Sequence, residues 1–194
     1  MTTAADAVSG GAGPRSTAIV HLVQAIPPSD APRVHDWAQI EQALGTVLPG
    51  DYKQLVDLYG GGLFDDAIWV LEPDSPNKYY DLVTENRDRA EAQQRLWLGG
   101  EPKPTQLEVE GSRTLAWAVT ENGDCLYWLA RPGQEPDEWP VLVKEGRGRE
   151  WELHPQSCSE FLESILLTGG LESEIFYDFP TEEAHEFRSS AGFV

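Results

Sequence analysis

In the first third of the chain the apolar positions step at helical intervals. Ile19, Leu22, Val23 and Ile26 recur at spacings of three, one and three, which predicts a short amphipathic helix closed by Pro27-Pro28. Asp36 is placed to cap a second helix whose Trp37, Ile40 and Leu44 share one face, with Gly45 where a left-handed glycine ends it. A third follows at once. Pro49 suits the first helical position and Asp51 the first turn, and Leu48, Tyr52, Leu55 and Tyr59 step by four, three and four until Gly60-Gly61-Gly62.

The pattern then changes period. Ala67-Ile68-Trp69-Val70-Leu71 is a continuous β-prone run, read as a buried strand. Between Tyr79 and Leu98 the apolar signal is weak, but Glu85/Arg89 and Glu91/Arg95 are i,i+4 pairs in the favourable order. They predict a solvent-washed helix anchored by Leu82, Val83 and Trp97. After a loop from Gly99 to Ser112, Leu115–Val119 and Leu126–Leu129 flank Asn122-Gly123, a signal for a hairpin closed by a tight type I′ turn. Pro140–Lys144 and Arg149–Leu153, joined by Gly146-Arg147-Gly148, continue an antiparallel meander. Ser157 with Glu160 forms a capping box, and Phe161, Leu162, Ile165 and Leu166 line the helix beyond it until Gly169-Gly170. Ile175-Phe176-Tyr177 is expected to pack back as an edge segment, and the chain after Pro180 to fray. No internal repeat is present.

Charge narrows the range of partners. Fourteen Lys and Arg stand against 33 Asp and Glu, a net charge of −19 with a sequence pI near 4.4. Such a chain repels phosphate backbones and anionic lipid, so neither nucleic acid nor membrane is expected as a partner, and a basic protein is. With 40% hydrophobic residues and seven Trp among 194 residues, one domain with a sizeable core is expected. No apolar run is long enough for a membrane span, and the first residues lack the basic and apolar regions of a secretion signal; the expected compartment is the cytoplasm. Cys125 and Cys158 are too few for a disulfide framework and are read as reduced thiols.

Catalytic constellations are wanting. His21, His35, His154 and His185 are scattered without metal-ligand spacing, no Walker or nucleophile-elbow motif occurs, and neither a metal nor a cofactor is expected. Cys158 at a helix start with His154 four residues upstream is the best nucleophile candidate, against the bland reading of a small buried thiol. The acids are unevenly spread. Residues 51–74 hold six acids and one base, residues 171–194 likewise six and one, whereas residues 77–95 balance at four and four. Asp65, Asp66, Glu72 and Asp74 read as an acidic rim, with Phe64 and Trp69 as aromatic anchors for a bound partner; core packing is the competing reading for both aromatics.

Trp37-x-x-Ile40-Glu41-x-x-Leu44-Gly45-x-x-Leu48-Pro49-x-Asp51-Tyr52-Lys53-x-Leu55, followed by Tyr59-Gly60-Gly61-Gly62 and Ile68-Trp69-Val70-Leu71, resembles the SUKH superfamily, which includes bacterial immunity proteins and fungal cell-wall-assembly regulators. The Asn122-Gly123-Asp124 hairpin, the Trp139-Pro140-Val141 strand and the Glu160-Phe161-Leu162 helix follow the same order, so the resemblance spans about residues 35–170. It implies an α+β domain with helices packed on a mixed, mainly antiparallel sheet; composition, not the resemblance, sets the bounds, with small polar residues 1–16 read as a disordered tail, the domain over 17–179 and a frayed acidic tail at 180–194. The resemblance also implies no catalytic residues, a motif block that is mostly scaffold, and binding of a cognate toxin. A general intracellular interaction module without a toxin is the alternative the fungal regulators suggest.

Overall fold

The computed structural model describes residues 16–31, 33–179 and 184–193; the expected tail at 1–15 and the start of the acidic tail at 180–183 lie outside them. Three helices come first, α1 (Thr17–Ala25), α2 (Trp37–Leu44) and α3 (Gly50–Tyr59), at the places the apolar steps indicate. Asp36 accepts from Gln39 N–H, and Gly45 takes the left-handed conformation (φ 67°) that ends α2. Pro49 stands one residue outside α3, as its cap, rather than at the first helical position.

Strands β1 (Gly62–Phe64), β2 (Ile68–Val70), β3 (Arg113–Thr120), β4 (Cys125–Ala130), β5 (Val141–Lys144), β6 (Trp151–His154) and β7 (Phe187–Ser189) pair antiparallel throughout, in the order β6-β5-β4-β3-β2-β1-β7. The sheet is not mixed. The one parallel contact among the described residues is the isolated bridge Glu72–Asp81, outside the strands. β1 was not anticipated, because the glycines that end α3 also open it. Nor was β7: the described part of the expected frayed tail is hydrogen-bonded along β1.

Helix α5 (Cys158–Glu163) carries the capping box and runs on as a π-helical turn, Ser164–Thr168, before left-handed Gly169. With α1 and α3 it covers the sheet face on which Trp117 and Trp128 lie, where Tyr52 meets Trp128 edge-on (4.8 Å between centroids) and Phe161 meets Trp117. The segment after α5 is no edge strand. Glu152 of β6 accepts from the Glu174 and Ile175 N–H groups (2.8 and 3.1 Å), which turns Phe176 into the core and leaves Tyr177 in solvent.

The opposite sheet face is covered by α4 (Leu82–Leu98), with both anticipated ion pairs formed: Glu91–Arg95 stands in solvent, whereas Glu85–Arg89 is half-buried against the sheet rather than washed by solvent. Leu82 is its buried anchor, whereas Val83 and Trp97 are half-buried. Asn86 supplies what periodicity could not show. Its amide accepts from Ala116 N–H (2.7 Å) and donates to Ala116 O (2.9 Å), beside the β3 bulge and past the point where β2 has ended. A side chain thus completes the ladder where the neighbouring strand runs out.

The β3–β4 turn also differs from expectation. Among the described residues outside glycine, positive φ occurs at Asp65, Asp66 and Asp74, so Asn122 lacks the conformation a type I′ turn requires. The loop is one residue wider, Glu121 to Gly123, because the Thr120 hydroxyl donates to the Asp124 carboxylate (2.7 Å) and the Thr120 N–H to Asp124 O (2.9 Å). Only Gly123 has positive φ there (92°).

Replacing Asn86 by Leu leaves both Ala116 backbone groups without a partner, a cost of about 1–3 kcal/mol. The expected readout is a lower urea midpoint at an unchanged denaturant slope, and an unaltered midpoint would show that the ladder does not need this side chain.

Candidate functional site

Alternate turns of an antiparallel meander must lie at the same end of the sheet. The β1–β2, β3–β4 and β5–β6 turns therefore come together, bringing Asp65 and Asp66, then Glu121 and Asp124, then Glu145 and Glu150 to one end. The arrangement is cross-linked: Glu121 N–H donates to Ala67 O (2.9 Å) and Gly146 N–H to the Asp124 carboxylate (2.8 Å). Asp66, Glu121 and Glu150 are exposed there. A cleft of about 260 Å³ at this end is lined by Asn122, Glu145, Arg147, Glu150, Glu174 and Tyr177, among others. Tyr177 is 79% exposed, a large aromatic standing in solvent among carboxylates.

The acidic rim expected from sequence is divided. β1 and β2 are three-residue strands, roughly 10 Å long at 3.4 Å per residue, and they separate Asp65 and Asp66 at the turn from Glu72 and Asp74 at the far end. Asp65 and Asp66 occupy consecutive left-handed positions (φ 49° and 53°), which aspartate tolerates better than most side chains, and Ala67 N–H closes the turn onto Phe64 O (2.9 Å). Left-handed geometry at both central positions, expected at Asn122-Gly123, is found here instead.

Asp65 is buried. It accepts from Glu186 N–H (2.8 Å), and His185 Nδ1 lies 2.7 Å from its other oxygen. Asp66 is exposed and pairs with Arg188. Glu72, 1% exposed, accepts from Arg33 (2.9 Å), Gly61 N–H (2.7 Å) and the Ser190 hydroxyl. Asp74 is exposed near α2. Phe64 and Trp69 are not surface anchors in this chain. Phe64 packs with Tyr59 and Phe187, and Trp69 stacks on Tyr80 (3.7 Å between centroids) with Phe193 against its edge. A charge reversal of Asp65 therefore strikes the fold, whereas one at Asp66 changes the surface.

The nucleophile candidate is disarmed by its surroundings. Cys158 is buried, and burial together with the Asp51 carboxylate 3.4 Å from its sulfur pushes the thiol well above its ordinary value, opposite to what a nucleophile needs. Burial likewise lowers His154, which faces Glu152 at 3.3 Å. The other histidines also face carboxylates, His21 with Glu163 and His35 with Asp57. Among the described residues no group of three or more His, Cys, Asp or Glu is placed to hold a metal ion.

Several positions of the motif block serve the scaffold. Tyr52 and Tyr59 donate their hydroxyls to Leu71 O (2.6 Å) and Ile26 O (2.7 Å). Asp51 accepts Ser159 N–H (3.0 Å) and so caps α5 from another helix, while Glu41 holds Lys53 (2.8 Å) and Leu48 N–H (3.0 Å). Sequence reading missed Glu121, Glu145, Glu150 and Tyr177 as surface groups. The signal available for the acids was that alternate hairpin turns share an end; Tyr177 carried none.

The family model SUKH_6, described as SMI1-KNR4 cell-wall, matches residues 35–162. No curated protein and no solved structure matches the chain. No helix among the described residues is long and apolar enough to cross a membrane.

Both thiols are expected to be inert in the folded protein. Burial pushes Cys125 up to about 11. The folded pKa is raised, so this contribution to stability is complete below the ordinary thiol range near 8.5 and is lost as pH rises through about 11. An aromatic disulfide reagent at pH 8 should label neither cysteine in buffer and both in urea. Prompt labelling of the native chain at Cys158 would restore the nucleophile reading.

Proposed function

The chain belongs to the SUKH superfamily, and from that premise we propose that it is an immunity-type protein, which binds a basic toxin and neutralises it by non-covalent docking. The observation that carries the reading is the sheet end where the acid-bearing turns meet beside exposed Tyr177, on a chain of net charge −19. A negative field of this kind accelerates capture of a protein with a basic cleft and repels nucleic acid, which suits a nuclease toxin as target. The rigid meander presents the acids without ordering a loop, so little conformational entropy is lost on docking. Tyr177 supplies what charge alone does not, a wide amphipathic ring of the type that dominates binding energy at interfaces. The buried Cys158 supports a role without covalent chemistry.

The description of the matched family as cell-wall favours a second reading, an interaction module with no toxin partner. Both are binding functions, and the identity of the captured protein separates them.

In a pull-down from the native cell, the chain should retain a basic protein with a toxin-like carboxy-terminal domain. Because the Debye length shrinks from about 10 Å at 0.1 M salt to about 3 Å at 1 M, affinity should drop at least about tenfold between the two. Tyr177→Ala should weaken capture about tenfold while leaving the urea midpoint in place. Equal affinity at both ionic strengths would reject the electrostatic mechanism, and a captured protein without toxin activity would favour the second reading.

A further inference from the structure

Strand β7 sits on the outer edge of β1 with Gly62 opposite Ser189, Leu63 opposite Arg188 and Phe64 opposite Phe187. Everything that receives it lies within the family match at 35–162, and β7 itself lies outside. The receiving groups form a set. Asp65 takes Glu186 N–H and faces His185, Asp66 takes Arg188, Glu72 takes the Ser190 hydroxyl, and the Tyr59 and Phe64 rings take Phe187 (5.0 and 4.7 Å between centroids). Gly62 is shaped for a strand at close quarters: a Cβ there would collide with Arg188 O and lie 2.6 Å from the Phe187 ring. Gly61 is equally constrained, since a Cβ would come within 2.7 Å of Glu72.

We propose that this edge is a peptide seat, in which β7 stands in for an extended segment of the basic partner bearing an aromatic, then arginine, then two residues on a hydroxyl side chain. It rests on the docking reading above and deepens it. An unpaired strand edge offers backbone hydrogen bonds to any extended chain, and pockets at alternate positions select its side chains. The seat's selectivity follows from what it holds now: an aromatic pocket on one face, carboxylates at Asp66 and Glu72 for a cation and a hydroxyl, and backbone pairing between them. β7 is only three residues long, with Arg188 exposed and Phe187 buried, so an incoming segment must refill the aromatic pocket as well as meet Asp66 and Glu72. Being tethered, β7 competes at an effective concentration in the millimolar range, which holds the seat closed to weak or wrongly patterned peptides.

The test uses the full chain and, as probe, a fluorescent peptide with the sequence of Ala184–Phe193. Phe187→Ala with Arg188→Glu loosens β7 without touching the seat. The doubly substituted chain should bind the peptide at least tenfold tighter than the unaltered chain, and at least tenfold tighter than it binds a peptide carrying glutamate for arginine. Should loss of Phe187 unfold the chain, Arg188→Glu alone leaves the aromatic cluster filled and the Ser190–Glu72 bond intact and should give the same ranking. A cooperatively folded variant that binds neither peptide, or both equally, overturns the seat. A dimer of the unaltered chain that exchanges β7 between copies, detected by sedimentation, overturns the assignment to a foreign partner. Failure of the peptide with salt-dependent capture intact removes the seat alone; peptide binding without capture removes the toxin reading and upholds the seat.

Discussion

Glu72 holds three separate parts of the chain through one buried carboxylate. Its oxygens accept from Arg33 before α2, from the Gly61 N–H past the end of α3, and from Ser190 after β7. Its backbone meanwhile pairs with Tyr80 and Leu82 and so starts α4. A charge at that depth is tolerated only with every lone pair engaged, and removing one partner of such a group typically costs about 3–5 kcal/mol. The constraint reaches Gly61, which must lack a Cβ for the carboxylate to approach. The edge of the sheet, the entry to α2 and the start of the long helix are therefore all registered on one side chain.

The same device recurs across the molecule. Asp51 receives the start of α5, Glu152 receives the segment around Ile175, Asp65 receives the approach to β7, and Asp124 receives the β5–β6 turn. Acidic side chains here serve as acceptors for backbone N–H groups that no helix or ladder satisfies. A count of acids consequently overstates the charge a partner meets. The surface field comes from the remainder, part of which gathers at the sheet end where alternate turns meet, interleaved there with Arg147 and Arg149 of the β5–β6 turn. The anionic character thus has two origins with different tolerances: carboxylates that complete the fold, and carboxylates that stand in water beside Tyr177 and are free to face a partner.

Most of the helices and the meander were legible because their signals are local. Asp36 and Gly45 bracket α2, Ser157 and Glu160 start α5, and the Glu85/Arg89 and Glu91/Arg95 spacings mark α4 as a helix. The block running from Trp37 to Gly62 was legible as a family resemblance for the same reason, since its tyrosines, glycines and acids each meet one fixed scaffold requirement. The candidate site was far less legible. Asp65 and Asp66 looked like near neighbours of Glu72 and Asp74, and two three-residue strands set them at opposite ends.

By itself, the sequence determined which residues enter helices, which alternate along strands and which stop them, together with the sign of the net charge, because capping, period and composition act over a few residues. Tertiary structure alone decided that Asp65 and Glu72 are interior acceptors, that Phe64 and Trp69 are core, that Tyr177 is solvent-facing, and that Phe187–Ser189 joins the sheet as a strand before a closing 3-10 turn at Ser190–Phe193. Each of these depends on a partner more than twenty residues away or on the shared end of several turns. No local pattern records such pairings, since a carboxylate is equally at home in water or against a buried N–H until the rest of the chain supplies one or the other.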